Sequence, residues 1–213
     1  MARLQFGIKR LLIMYIDFTE KPFDMTRSNI ASNVNIFNYK QIDGRKSSPF
    51  NIVENQELTN DQYEKYFSLV EKLMYTCHMH NGIGLALPQL GIFTGQLFIS
   101  LDFGNRQDNI LPQSIQAYFN PSYRYDNTTT EKRTEEEGCL SVKTGQPLAI
   151  SRPDTIVATW YDLDTQTKTF KKREEILTGL RARVFMHEYD HLLGTSIVVK
   201  FEQQNKTKKK KKK

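Results

Sequence analysis

The sequence predicts an α+β domain in which antiparallel β-sheets pack around a central helix that carries a metal-binding motif. Runs rich in β-branched and aromatic residues, at 96–102, 114–119 and 155–161, are typical of strands. The run 180–194 has instead the length and apolar spacing of a helix, and it contains two histidines four residues apart. Sheets that flank a helix of this kind form an α+β arrangement.

Composition limits the classes of protein to consider. The chain has 213 residues, of which 38% are hydrophobic and 25% charged, and this suits one domain with a substantial core. Seven lysines lie at 206 and 208–213, so the net charge of +6 belongs to the end of the chain. We therefore expect no specific DNA binding. No apolar run approaches the ~20 residues that span a bilayer, so we expect no membrane partner either.

The first 58 residues give the weakest signals. Residues 11–18 are typical of a strand, and 41–49 have the composition of a loop. The basic start is followed by an apolar run, 11–16, that is too short for a secretory signal. We expect a cytoplasmic protein, with an organellar one as the alternative.

A helix is predicted to start at residue 60 and to end before Gly82. Its apolar residues recur at intervals of three and four and form one stripe: Tyr63, Phe67, Val70, Met74 and Cys77. We expect Cys77 to be a buried free thiol in a reducing compartment. Further along, 104–112 and 125–134 are predicted as polar loops, and 165–167 as the turn of a hairpin that continues at 169–170.

The most informative single stretch is His-Glu-x-x-His at 187–191. On a helix, this spacing places the imidazoles of His187 and His191 on one face, where both can reach one metal ion. Glu188 lies at the edge of that face, close enough to move a proton to or from a bound water without ligating the metal. Gly194 supplies the left-handed residue that commonly ends a helix. The motif also occurs by chance, and a catalytic site usually has three protein ligands.

Three positions are candidates for the third ligand. Metalloproteases with an extended motif place a histidine where this chain has Ile197, which excludes that class. A thermolysin-like site needs a downstream acid, and the one acidic residue after His191 is Glu202, in polar, lysine-rich surroundings. Cys139, upstream, would give a Cys/His/His set that suits zinc or ferrous iron.

Three motifs together resemble the signatures of the peptide deformylases, in that family's order. They are Gly-Ile-Gly-Leu-Ala-Leu-Pro-Gln at 82–89, Glu-Gly-Cys-Leu-Ser at 137–141 and His-Glu-Tyr-Asp-His at 187–191, with Asn-Pro at 120–121 before the second. The resemblance runs from about residue 60 to about residue 200. We expect residues 59–201 to form the catalytic core, 1–58 a divergent segment of the same domain, and 202–213 a disordered lysine-rich tail.

The resemblance implies a metal-dependent hydrolase that removes the N-terminal formyl group from formyl-methionyl nascent polypeptides and releases formate. Cys139, His187 and His191 would hold one divalent ion per chain, with Fe²⁺ as the expected native metal and Zn²⁺, Ni²⁺ and Co²⁺ as alternatives. A water activated by the metal would attack the formyl carbon, and Glu188 would act as general base and then as general acid.

The family pattern also assigns donors to the formyl oxygen. The glutamine that ends the glycine motif has this role in deformylases, and its counterpart here is Gln89. The backbone N–H of Leu140, beside the ligand cysteine, is the second candidate.

Four residues are expected to contact the peptide. Gly84 allows close approach of a ligand, and Ile83 offers main-chain hydrogen bonds to an extended peptide. Gly138 and Glu137, in the cysteine motif, are assigned to the same surface. We also expect Glu137 to pair with Arg152 and to brace the cysteine loop.

Three departures from the family pattern are visible. Many members have alanine where this chain has Leu87, and many have glutamine where it has Met186. The segment 143–147 also replaces the usual Pro-Gly that leads to the Arg-Pro pair, so the peptide preference beyond formyl-methionine stays open.

Two other functions remain open at this point. A generic metallopeptidase or amidase shares the His-Glu-x-x-His chemistry, and cleavage of unformylated peptides would favour it. A ribosome- or RNA-binding module would account for the lysine-rich end of the chain, because such runs attract polyanions. We expect this tail to dock an enzyme near ribosomes, with a merely solubilising tail as the alternative.

Overall fold

The computed structural model describes residues 35–102, 114–142 and 146–210. Its elements are, in chain order, α1 (Tyr39–Ile42), α2 (Asn60–Met79), β1 (Gly84–Ala86), a 3₁₀ helix (Leu87–Leu90), β2 (Leu97–Asp102), β3 (Ser114–Arg124), β4 (Lys132–Glu137), β5 (Leu148–Pro153), β6 (Thr155–Asp164), β7 (Thr169–Thr178), α3 (Gly179–Leu192) and α4 (Ile197–Lys210). The expected strand at 11–18 and loop at 104–112 lie outside the described residues. None of the described helices combines the length and the apolar character that crossing a membrane requires.

The strands form two antiparallel sheets, so the predicted α+β class is confirmed. The larger sheet has the order β1-β2-β3-β6-β7, and the smaller one pairs β4 with β5. Neighbouring residues of a strand point to opposite faces. In β2, Leu97 and Ile99 join the apolar core that contains Leu73 of α2, whereas Phe98 joins the core that contains Phe185 of α3. The larger sheet is therefore covered by α2 on one face and by α3 on the other.

Helix α2 has the buried stripe that its sequence predicts. It starts with a capping box, in which the Thr59 side chain accepts the N–H of Gln62 and the Gln62 side chain accepts the N–H of Thr59. Of the predicted stripe, Val70, Met74 and Cys77 are buried, and Leu73, which was not part of the prediction, is buried beside them. Cys77 is a free thiol, as expected, and burial raises its pKa to about 12.

The three predicted strands and the 165–167 turn are confirmed, and two of the strands run further than expected. β3 continues past Pro121, a residue that cannot donate a ladder hydrogen bond. The register shifts between Phe119 and Ser122, and Asn120 between them has a φ of 45°. This local irregularity accommodates the proline, and the strand resumes beyond it.

The smaller sheet is one part of the fold for which the sequence prediction is wrong. The expected loop 125–134 ends too late, because β4 begins at Lys132, and β5 is not predicted at all. β4 consists almost entirely of exposed charged residues, with Glu137 alone buried. Its strand conformation comes from pairing with β5 rather than from local propensity.

Helix α3 ends as the sequence predicts, with Gly194 in the left-handed conformation at a φ of 69°. A Cβ at this position would lie 2.7 Å from the backbone nitrogen of Arg45, so glycine is required here. The N–H of Gly44 donates to the Gly194 carbonyl, and the N–H of Ser47 donates to the Leu192 carbonyl, both at 2.8 Å. The segment before α2 thus packs against the end of α3.

The expected disorder of residues 202–213 is wrong for 202–210, which form the last part of α4. Lysine is a good helix former, and the side chain of Gln204 ties this helix to β5. The Gln204 amide donates to the Ser151 carbonyl at 2.9 Å and accepts the Ser151 N–H at 3.1 Å. Lys200 adds an ion pair with Asp190 of α3 at 2.9 Å.

Candidate active site

The three predicted metal ligands lie together at the second half of α3. The ligand atoms of Cys139, His187 and His191 are all within 4.8 Å of one another. The Cys139 sulfur is 3.3 Å from Nε2 of His191, and the two imidazole centroids are 5.1 Å apart. A thiolate and two imidazole nitrogens in such a cluster are the donor set of a zinc or ferrous site that keeps one position open. These residues therefore fit a divalent metal.

The imidazole of His187 is oriented by a buried carboxylate. Nδ1 of His187 lies 3.0 Å from Oε2 of Glu137, which leaves its Nε2 for a metal. A ligand histidine usually donates its other ring nitrogen in this way, and the contact fixes both tautomer and ring orientation. Nδ1 of His191, in contrast, is buried and has no hydrogen-bond partner among the described residues.

Glu137 is held by two arginines as well as by the histidine. The predicted pair with Arg152 is confirmed, with contacts of 2.7 Å at Oε1 and 3.0 Å at Oε2. Arg183 contacts Oε1 as well, at 2.6 Å. Burial alone would raise the pKa of Glu137, but the hydrogen bonds from His187 and Arg152 lower it to about 2. The carboxylate is therefore ionised at neutral pH, and both of its oxygens are occupied by side chains of the protein.

Arg152 also links Glu137 to helix α3. Its Nη1 donates to Oδ2 of Asp190 at 2.7 Å, and Asp190 in turn contacts Lys200 of α4. Asp190 does not join the cluster of ligand atoms. It supports the arginine that supports Glu137.

Glu188 follows the first ligand histidine and lies on the wall of the same cavity. Its side chain is buried, and Oε2 has no hydrogen-bond partner among the described residues. Burial raises the pKa of this carboxyl to about 7. A group with a pKa near neutrality can both accept and return a proton at physiological pH.

Gln89 lies beside the cysteine loop in a fixed orientation. Its Oε1 accepts the N–H of Ala86 at 2.8 Å, so its amide nitrogen points the other way. That nitrogen is 3.2 Å from Oγ of Ser141 and 3.9 Å from the sulfur of Cys139. The amide N–H group is thus presented at the predicted metal ligand, and Leu140 lines the same cavity.

The cavity has a volume of about 490 Å³ and is lined by all four residues expected to contact the peptide. Ile83 and Gly84 form one wall, where Ile83 is 42% exposed and its carbonyl accepts the N–H of Leu101 at 2.8 Å. Gly138 and Glu137 line another part of the cavity, although the Glu137 carboxylate contacts Arg152 and Arg183. One face of α3 completes the site with Leu180, Arg183, Val184, His187 and Glu188.

Two residues next to the ligands were not identified from the sequence. Ser141 lies in the cysteine motif and contacts Gln89. Arg183 precedes His187 by four residues and shares its helix face. An arginine one turn before the first motif histidine was the available signal, because a guanidinium buried beside that histidine needs an acidic partner.

Comparisons with known proteins agree with this arrangement. The family model described as polypeptide deformylase matches residues 51–207. Peptide deformylase 2 of Gloeobacter violaceus is 32% identical over 147 residues, which are 68% of this chain and 69% of that protein. Peptide deformylase of Prochlorococcus marinus is 34% identical over 141 residues, which are 66% of this chain and 63% of that protein.

The fold agrees as well. The crystal structure of a probable peptide deformylase from Synechococcus phage S-SSM7 superposes with a TM-score of 0.61 and 27% sequence identity, covering 79% of this chain and 100% of that chain. The family match spans the five-stranded sheet, the helices α2 and α3 and all three sequence motifs. The chain belongs to the polypeptide deformylase family.

Proposed function

We propose that the protein removes the N-terminal formyl group from formyl-methionyl peptides and releases formate, with α3 as the central scaffold of the reaction site. The observation that carries this proposal is the juxtaposition of three ligand atoms within 4.8 Å and a buried carboxyl group on the wall of one cavity. The family supports hydrolysis of a formyl amide rather than of an internal peptide bond.

The residues present have separate tasks in this reaction. Cys139, His187 and His191 would hold a divalent ion, which would supply Lewis acidity at the site. Glu188 takes a proton from the attacking water and returns it to the leaving amine, because its carboxyl has a pKa of about 7 and lies beside the ligands.

Two donors stabilise the negative charge that develops on the formyl oxygen. The Gln89 amide is fixed in advance by Ala86 and Ser141, so it loses little freedom when the charge appears. The backbone N–H of Leu140 is the second donor. Removal of one such donor typically lowers kcat by ~10²–10³-fold.

The edge of the larger sheet suits an extended peptide. β1 is the outermost strand at its end of the sheet, and the residue before it, Ile83, lines the cavity with its side chain partly exposed. Unpaired main-chain groups on an edge strand can pair with a further strand. The substrate's backbone would thus lie along Ile83 and Gly84, with its formyl group directed toward the ligand cluster.

Gly84→Ala is expected to lower turnover on the order of 10²-fold. A Cβ at this position would lie 2.6 Å from Oε1 of Glu188 and 3.0 Å from Cγ1 of Val184, so the buried carboxyl must move. A displacement of about 1 Å in a catalytic group can cost that much in rate. Metal content should stay at the wild-type value because no ligand is touched. A kcat within twofold of wild type would show that Glu188 is not confined by Gly84.

The test of the function is formate release from a formyl-methionyl peptide by the full-length protein, purified without oxygen and assayed for metal. Oxygen is excluded because a ferrous thiolate site can be oxidised and lose activity. Formate at a rate proportional to metal content supports the proposal. Release of amino acids from an unformylated peptide, without formate, would favour the metallopeptidase alternative. Metal without turnover on several formyl peptides would contradict the proposed substrate.

The divalent metal itself is proposed to be Fe²⁺, with Zn²⁺, Ni²⁺ or Co²⁺ able to replace it. A thiolate with two imidazoles accepts all four ions. Reconstitution of the metal-free protein with each ion, followed by formate release, ranks them. Loss of activity in air from the Fe²⁺ form but not from the Zn²⁺ form would agree with a native ferrous site.

The C-terminal end is proposed to bring the enzyme to ribosomes, in the cytoplasm or in an organelle. Helix α4 reaches Lys210, and the chain carries seven lysines at 206 and 208–213. Lysine clusters bind RNA mainly through its phosphates, so the affinity falls steeply with salt. Removal of residues 206–213 is expected to abolish cosedimentation with ribosomes at low salt. Unchanged cosedimentation would leave the lysines with a solubilising role only.

Residues 35–58 are proposed to belong to the same domain as residues 59–201. Ile36, Phe50, Ile52 and Leu58 pack against the core that contains α2. The N–H of Phe50 donates to the Asn120 side chain, which donates back to the Phe50 carbonyl, both at 2.8 Å.

A further inference from the structure

We propose that Arg183 is a positioning residue that holds Glu137 against His187 and thereby sets the affinity of the site for its metal. This role presupposes the metal site of the proposed function, but not the formyl substrate. Arg183 touches none of the three ligand atoms. It acts through the carboxylate that orients one of them.

Arg183 is buried and uses four N–H groups on one small sheet. Nη1 donates to Oε1 of Glu137 at 2.6 Å and to the carbonyl of Ile150 at 3.1 Å. Nη2 donates to the carbonyl of Arg133 at 2.9 Å, and Nε pairs with Glu135 at 2.9 Å. A guanidinium has five N–H groups in a rigid plane, so this planar fork is nearly saturated.

These contacts join α3 to both strands of the smaller sheet. Arg133, Glu135 and Glu137 are alternate residues of β4, and Ile150 is the register partner of Glu135 in β5. Alternate residues of a strand share a face, so the guanidinium spans the length of that face. Cys139 follows β4 by two residues. Arg183 therefore connects helix α3 to the strand that carries Glu137, the carboxylate that orients His187.

The second arginine on Glu137 does not make Arg183 redundant. Arg152 contacts both carboxylate oxygens, whereas Arg183 shares Oε1 with it and leaves Oε2 to Arg152 and His187. Without Arg183, Oε1 of Glu137 keeps one partner, and β4 loses the contacts that Arg183 makes with Arg133 and Glu135. The Glu137 side chain can then adopt other rotamers, and its contact with His187 weakens. Partners of ligand histidines typically account for 10–100-fold in metal affinity.

The test is a Co²⁺ titration of the metal-free full-length protein, followed by the thiolate-to-cobalt and d–d absorption bands. Arg183→Met is expected to weaken Co²⁺ binding on the order of 10-fold or more and to shift the d–d bands. Arg183→Lys keeps the charge but not the fork, so a smaller loss is expected. The matched control is Arg181→Met. Arg181 is exposed on the same helix and pairs with Glu175 at 3.5 Å, so its replacement should change the affinity by less than twofold.

A double variant separates positioning from a general loss of stability. If Arg183 acts through Glu137, Arg183→Met combined with Glu137→Gln binds Co²⁺ no more weakly than Glu137→Gln alone. Additive losses would overturn the proposal, as would Arg183→Met with wild-type affinity and bands. If circular dichroism shows that Arg183→Met does not fold, Arg183→Lys becomes the test. A Co²⁺ affinity of Arg183→Lys within twofold of wild type would then refute the proposed role.

The outcome is independent of catalysis. A wild-type chain that binds Co²⁺ and releases no formate would contradict the proposed function and leave the role of Arg183 intact. A wild-type chain that binds no Co²⁺ would overturn the role of Arg183.

Discussion

Glu188→Gln is expected to release formate at least ~10²–10⁴-fold more slowly than the wild-type protein, with unchanged metal content. Glutamine has the size of glutamate and can occupy the same buried position, but it cannot accept a proton at neutral pH. General acid–base groups typically contribute a factor of this size. The carboxyl of Glu188 has a pKa raised by burial to about 7, so it suits transfer in both directions. The measurement is kcat at saturating formyl-methionyl peptide, together with metal per chain.

The matched control for this substitution is Glu202→Gln. Glu202 is an exposed glutamate on α4, so the same chemical change there should leave kcat within twofold of wild type. Two results would count against the role of Glu188. Wild-type kcat in Glu188→Gln would show that another group moves the proton. Loss of metal together with activity would show that the carboxylate of Glu188 is a metal ligand rather than a proton-transfer group.

The parts of the fold that the sequence could predict are those specified by local patterns. Helix α2 has a capping box and an apolar stripe, and both signals lie within its own residues. Helix α3 has its histidines at helical spacing and a glycine at its end, where a Cβ would clash with the backbone of Arg45. The strands β2, β3 and β6 are rich in apolar and aromatic residues, most of which are buried in one of two cores.

The smaller sheet could not be predicted because the contacts that stabilise it are made with residues distant along the chain. Five of the six residues of β4 are exposed, and the apolar–polar alternation that marks a strand is missing because β4 contains no apolar residue. Glu137 is buried because Arg152 and Arg183 reach it from β5 and α3, two elements distant along the chain. A buried ion pair of this kind needs the tertiary structure before it can be recognised, since each charge alone looks like a surface residue.

The residues of the candidate site also differ in how far the sequence could predict them. Cys139, His187, His191 and Glu188 were identified because their chemistry restricts the residue types and the spacing. Arg183 and Ser141 act by holding other side chains in place, and any of several residue types could do so. The expected disorder was wrong for residues 202–210 because their composition is typical of disorder, whereas the contact of Gln204 with Ser151 that holds α4 depends on the tertiary structure.

Cys139→Ala is expected to lose both the metal and formate release. Alanine removes the sulfur that lies 3.3 Å from Nε2 of His191 and leaves two imidazoles, which is fewer than the three protein ligands of a typical catalytic site. The loss of affinity should exceed the roughly 10–100-fold that supporting partners of a ligand cost. The measurement is metal per chain after dialysis without oxygen, with Co²⁺ titration to quantify the residual affinity. The thiolate-to-cobalt band should disappear.

Cys77→Ala is the control that separates the ligand from the other cysteine. Cys77 is buried in the core of α2 and its thiol has a pKa of about 12, so it offers no thiolate at neutral pH. Its replacement should lower stability through a small cavity while it keeps the metal and the cobalt band. If Cys139→Ala retained the metal at wild-type affinity, the third ligand would lie elsewhere and a different class of metallohydrolase would become the better interpretation. Loss of metal in Cys139→Ala, with metal retained in Glu188→Gln, would instead separate the residue that holds the ion from the residue that moves the proton.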